Sequence, residues 1–165
     1  MADERDKLGI HAELIGRVVI SWNEVQWIIY RLFVGFSGMP EQQAHDVFFA
    51  LRSDASQRDL ALAAGKTALA DYPFLWEQFR TSLCEVRRLA GERNAAIQTM
   101  WAFNFFEAME KTHTLEVGAL SDTVHHQFLN EDFPAQCNEL REQLEKQFWI
   151  LSKIYKQLYV QHRTQ

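Results

Sequence analysis

The chain has 165 residues, 47% of them apolar, enough for one globular domain with a sizeable core. A formal net charge of -5 excludes an obligate bulk electrostatic grip on nucleic acid or on an anionic membrane, although a local basic groove is compatible with it. Cys84 and Cys137, the two cysteines, are too few for a disulfide framework or a metal knuckle and read as small core residues.

Residues 1–7 are charged, and no apolar leader with a cleavage site follows them. The most apolar stretch, 25–36, contains Gln26 and Arg31 and falls short of the ~20 residues that a bilayer span requires. The expectation is a cytoplasmic chain with no membrane partner. Aromatic content is high at 13%, with five Trp and twelve Phe, which suits either an interface, where aromatics are favoured, or simply a bulky core.

In chain order, Ile10, Leu14, Val18, Trp22 or Val25, Ile29 and Leu32 recur at three- and four-residue spacing and predict a long amphipathic helix over 6–34. Gly35 to Gly38 ends it. Pro40 opens a second helix to about Leu51, with Glu41 in its first turn. Ser53 or Ser56 caps a third over 58–69. Asp71, Tyr72 and Pro73 break the chain again. A long helix follows over 74–111, with Leu75, Phe79, Leu83, Val86, Ala90, Ile97, Met100 and Asn104 as its inner stripe. Gly91 inside that helix costs ~1 kcal/mol against alanine, so either the helix tolerates it or another backbone passes close by. Residues 112–120 lack helical period, 121–128 suit a short helix and 130–133 a turn. Pro134 opens a last helix to about Val160, with Cys137, Leu140, Leu144, Phe148 or Leu151, Ile154 or Tyr155 and Leu158 inside. The sum is an all-α antiparallel bundle, with three long helices and several short ones in a single domain.

The residues with chemical potential cluster on the fourth helix. Arg87, Gly91, Asn94 and Gln98 fall on one flank, and Glu85, Arg88 and Glu92 form a ladder of helix pairs worth ~0.2–0.5 kcal/mol each. Arg93 and Gln98 lie about 7.5 Å apart along the axis, close enough for both side chains to border one groove. Two readings stand side by side. In one, Arg93 bridges a carboxylate on a neighbouring helix, Asn94 bonds a loop carbonyl and Gln98 is a satisfied polar group at a seam. In the other, an arginine fork faces phosphate. A second patch joins Arg52, Ser53, Asp54, Arg58 and Asp59. Asp54 and Arg58 are an i,i+4 pair if the third helix starts early, and a functional version sets Asp54 or Arg58 beside Arg93.

Arg93-Asn94-Ala95-Ala96-Ile97-Gln98 resembles the Arg-x4-His signature of the HEPN superfamily. The flanking residues 86–92, Met100-Trp101, residues 48–54 with Gln57-Arg58, and Val19-Ile20-Ser21-Trp22-Asn23-Glu24 are similar to one bacterial subgroup. The resemblance spans about 10–159. It implies a compact all-α homodimer, a metal-independent endoribonuclease in active members, and a defence or toxin–antitoxin setting. RNA or a nucleotide, or a partner protein, would be the ligand. Carried over, Arg93 contacts the scissile phosphate; Arg58, Arg87 and Arg88 are further candidate phosphate contacts on the strength of their own charge and position. Asn94 shapes the site, and Asp54, Gly91, Glu92 and Trp101 support it. Gln98 stands where the family has histidine. An amide does not titrate near neutral pH, so general acid–base catalysis, typically ~10²–10⁴-fold, is weakened.

The histidines offer few substitutes. His113, just after the motif helix, is the candidate replacement base. His125 and His126 splay onto different faces, near Asp122, without a metal-ligand pattern. Glu110-Lys111-Thr112-His113 occurs once, whereas a di-metal bundle needs two such motifs. Gly65-Lys66-Thr67 lacks the glycine series and strand–loop–helix context of a phosphate loop. No cofactor and no metal are expected. An active endoribonuclease with a substitute base, and a helical scaffold without nucleic-acid contact, are the alternatives. The scaffold predicts exposed aromatics and no local positive potential around Arg87, Arg88 and Arg93.

Overall fold

The structure, a computed structural model, describes residues 2–98 and 133–163, with side chains for 9–10, 12–97 and 133–158. Among the described residues there are five helices and no strand: α1 (Ala2–Ser37), α2 (Glu41–Ala50), α3 (Asp54–Ala68), α4 (Pro73–Gln98) and α5 (Phe133–Arg163). Three are long and two short, as an all-α bundle requires. The helix continuation expected over 99–111, the loop at 112–120, the short helix at 121–128 and most of the turn before Phe133 lie outside the described residues. No described helix is long and apolar enough to cross a membrane.

α1 runs past Gly35 to Ser37. Phe36 holds its last turn in place by packing edge-on against Phe79, with ring centroids 5.1 Å apart. Gly38 then adopts φ 64°, a left-handed conformation that glycine takes without steric cost, and the chain reverses. Val18, Trp22, Val25, Ile29 and Leu32 are buried as their spacing predicts, but Ile10 is exposed. Pro40 is the N-cap of α2 rather than its first residue. Ser53 caps α3 by accepting a hydrogen bond from the Ser56 N–H at 3.1 Å, so α3 starts at Asp54, four residues before the predicted start.

The helices alternate in direction. Gly65 meets Phe79 while Asp54 meets Arg93, so α3 and α4 are antiparallel. Phe36 meets Phe79 while Trp22 meets Arg93, so α1 and α4 are antiparallel too. Ser82 Oγ donates to Gln147 Oε1 at 2.7 Å while Arg88 reaches Gln143, which sets α5 against α4 in the same way. α1 is the central element, packed against α5, α3, α2 and α4.

The inner stripe of α4 departs from expectation in its second half. Leu75, Phe79, Leu83 and Val86 are buried, but the stripe continues through Leu89 and Ala96, not Ala90 and Ile97. Ala90 is only partly buried, and Ile97 is exposed. A 3.6-residue period carried from Leu75 reaches position 93, which places Arg93 on the inward face. Gly91 is exposed, and among the described residues nothing lies within 4 Å of a Cβ built there, so no described backbone passes close to it. Cys137 is buried, whereas Cys84 is exposed, against the expectation that both lie in the core. α4 turns Cys84 outward because its neighbours Ser82, Leu83 and Val86 take the inner face.

Candidate anion-binding site

Three helices bring four chemistry-bearing side chains to one place. α1 supplies Trp22, the first turns of α3 supply Asp54 and Arg58, and the end of α4 supplies Arg93. The early start of α3 makes this possible. It puts Asp54 in the first helical turn and turns Arg58 inward with Ala61 and Gly65.

Arg93 Nη2 donates to Asp54 Oδ2 at 2.5 Å, and Trp22 Nε1 donates to the same oxygen at 3.1 Å. The Arg93 guanidinium lies over the Trp22 ring, 4.4 Å from its centroid, and the Arg58 guanidinium approaches the same ring at 5.6 Å. Both separations are in the range of attraction between a cation and an aromatic quadrupole. Arg58 is 6% exposed. Burial lowers its pKa, the nearby Asp54 carboxylate opposes that effect, and the Arg87 and Arg93 charges lower the pKa further. Among the described residues, Arg58 Nη1 and Arg93 Nε find no hydrogen-bond partner, and both atoms are shut off from solvent. Among the described residues the cluster is therefore short of acceptors.

Arg87 and Arg88, on the same helix as Arg93, are compensated. Arg87 pairs with Asp59 at 3.1 Å across exposed surface. Arg88 bonds Glu85 at 2.7 Å, Glu92, and Gln143 of α5. The hydrogen bonds that Arg88 donates to Glu85 raise the Arg88 pKa, and the same contact lowers that of Glu85. Four cations, Arg58, Arg87, Arg88 and Arg93, thus share the region with four carboxylates, Asp54, Asp59, Glu85 and Glu92.

The sequence-predicted residues fall into three groups. Arg93, Arg58 and Asp54 are together, so Arg93 does bridge a carboxylate on a neighbouring helix. The Asp54 ion pair goes to Arg93 rather than to Arg58. Arg87, Gly91 and Asn94 are exposed on the outer flank of α4, and Glu92 serves Arg88. Ala95, a small residue on that flank, is already buried within the single chain. The Gln98 side chain, Trp101, His113, His125 and His126 lie outside the described residues and side chains. Among those described, no group of three His, Cys, Asp or Glu is placed to hold a metal ion. Sequence reasoning missed Trp22, which looked like one more core aromatic. Its signal was positional, since the inward face of α1 carries it to where Arg93 and Arg58 also turn inward. The chain matches no family model, no characterised protein and no solved structure.

Proposed function

We propose that the chain is a HEPN-like helical module with a weakened ribonuclease site. Its contact with nucleotide or RNA is confined to one phosphate at the Arg58–Arg93–Trp22 cluster. One observation carries this reading. Arg58 is buried with an unpartnered donor and shares the Trp22 ring with Arg93, the arginine of the motif. A buried guanidinium lacking an acceptor is costly, and a phosphate oxygen is the acceptor its fork geometry suits best. Compensation of Arg87 and Arg88 by carboxylates argues against a long basic groove. Gln98 in the histidine place supports weakened rather than efficient catalysis.

The test is cleavage and binding of a mixed single-stranded RNA pool by metal-free protein, beside Arg93→Ala and Gln98→His. The native chain should bind without cleaving, Arg93→Ala should lose the binding, and Gln98→His should gain cleavage. Native cleavage that Arg93→Ala abolishes would overturn the weakened site in favour of an active endoribonuclease with a substitute base such as His113. RNA binding indifferent to Arg93 would overturn the site itself.

A second reading, an interaction module, rests on a different observation. Trp27 and Phe49 are both half exposed, and both rings pack on Tyr30, at centroid distances of 5.6 and 5.2 Å. Exposed aromatics joined in this way suit a protein partner, within the defence or toxin–antitoxin setting that the resemblance implies.

A further inference from the structure

Asp54 is the only carboxylate bonded to the Arg93–Trp22 pair among the described residues, and its Oδ2 serves both donors. It is also the most accessible member of the cluster. Its side chain is 39% exposed, against 21% for Arg93, with Arg58 deeper still. An anion arriving from solvent meets Asp54 first. Asp54 occupies the first turn of a 15-residue helix, where the positive end of the helix dipole favours negative charge of any origin. Behind it lie two donors, Arg58 Nη1 and Arg93 Nε, that neither Asp54 nor any other described residue satisfies. A phosphate group carries more acceptor oxygens than a carboxylate, and arginine forks accept either.

We propose that this cluster is a closed anion site in which Asp54 holds the place of one phosphate group. Binding is then an exchange: the Asp54 carboxylate turns out to water, and the phosphate takes over Arg93 and reaches Arg58. The inference rests on the reading above for the identity of the ligand, but not for the exchange. No covalent step is involved. One consequence is that removal of the Asp54 charge should strengthen phosphate binding, whereas a carboxylate that merely braces the fold would give no such gain.

The experiment is calorimetric titration with inorganic phosphate, against chloride at matched ionic strength and pH, of the native chain, Asp54→Asn and Arg58→Gln. Asp54→Asn keeps an acceptor for the Trp22 N–H and removes the competing charge. Its phosphate affinity should exceed the native value by about tenfold, the equivalent of one charge-assisted hydrogen bond. Arg58→Gln should lose phosphate binding above the chloride background. If Asp54→Asn does not fold, Asp54→Ser substitutes for it. It too removes the competing charge, so phosphate should again bind more tightly than to the native chain. Equal or weaker phosphate binding by the folded Asp54 variant overturns the exchange.

A parallel arm titrates a short single-stranded RNA without a terminal phosphate and asks whether it competes with inorganic phosphate. Competition identifies a strand phosphodiester as the ligand. Phosphate binding that strengthens in Asp54→Asn, with no RNA binding, supports the exchange, assigns the site to a small phosphate compound and sinks the RNA reading. Arg93-dependent RNA binding that Asp54→Asn leaves unchanged sinks the exchange and leaves the RNA reading intact.

Discussion

At the scale of single residues, the molecule concentrates unusual chemistry on Trp22. Its ring faces two guanidinium groups, and its N–H shares an acceptor with one of them. Trp22→Phe keeps most of the ring surface and deletes only the donor, so it should destabilise by about 1 kcal/mol, the net worth of one hydrogen bond. Trp22→Ala also removes the ring from a buried position and should cost ~3–5 kcal/mol. Denaturant unfolding of both variants checks the ratio. Near-equal losses would show that the hydrogen bond, not the ring, organises the site. Cys137 makes a second residue-scale statement. Burial pushes its thiol up to about 11 from an ordinary 9.0, so the folded state favours the protonated form. A group with a raised folded-state pKa contributes stability that is complete below the unfolded pKa and lost as pH rises through the folded one. Stability should therefore fall between about pH 9 and 11, and Cys137→Ala should flatten that limb of an alkaline unfolding series. An unchanged limb would assign the loss to other groups.

At the scale of elements, two glycines on successive helices have opposite meanings. A Cβ at Gly65 would stand 2.6 Å from Phe79 Cε1 and 3.2 Å from Phe36 Cε2, where α3, α4 and the end of α1 converge. Gly65→Ala should cost ~1–3 kcal/mol through overpacking, partly offset by better helix propensity. A Cβ at Gly91 meets nothing among the described residues, so Gly91→Ala should stabilise by up to ~1 kcal/mol. Paired thermal unfolding of the two variants tests the packing of α3 on α4, and a gain at both positions would refute it. Much of this architecture was legible in the sequence. The apolar spacing of 14–32 and 137–158, the break at Asp71-Tyr72-Pro73 and the cap at Ser53 each have a local cause that composition reveals. The inward register of Arg93 was less so. Ala90 and Ile97 look more hydrophobic than Leu89 and Arg93 taken together, and a reading by residue type follows them outward. A strict helical period from Leu75 leads to Arg93 instead, because packing geometry outranks side-chain polarity once the polar group finds Asp54 and Trp22 beside it. The convergence of Trp22, Arg58 and Arg93 depends on three helices meeting, and no local pattern encodes that.

At the scale of the whole molecule, charge and surface decide what the site can do. With a net charge of -5, and with Arg87 and Arg88 paired to carboxylates, the reading proposed above requires one phosphate contact rather than a basic track. For single strands the logarithm of affinity falls with the logarithm of salt by about 0.7 per phosphate neutralised. A site built on Arg58 and Arg93 that holds one phosphate should thus give a slope of about -0.7, and a slope several times steeper would mean that a basic track exists elsewhere. The homodimer implied by the family resemblance makes a separate demand on the surface. Arg87, Gly91 and Asn94 form an open flank of α4 that the described residues leave uncovered, beside the Arg93 cluster. If two copies meet there, each cluster sits at the edge of a shared cleft. A bulky charge in that flank should then block association without disturbing the fold. Asn94→Arg is such a change, because an exposed helix position tolerates substitution within about 0.5 kcal/mol. Sedimentation should show a dimer for the native chain and a monomer for Asn94→Arg, with unfolding midpoints nearly equal. A native monomer, or a dimer indifferent to Asn94, would place any association on another face, and the aromatic surface of Trp27 and Phe49 would be the next to test.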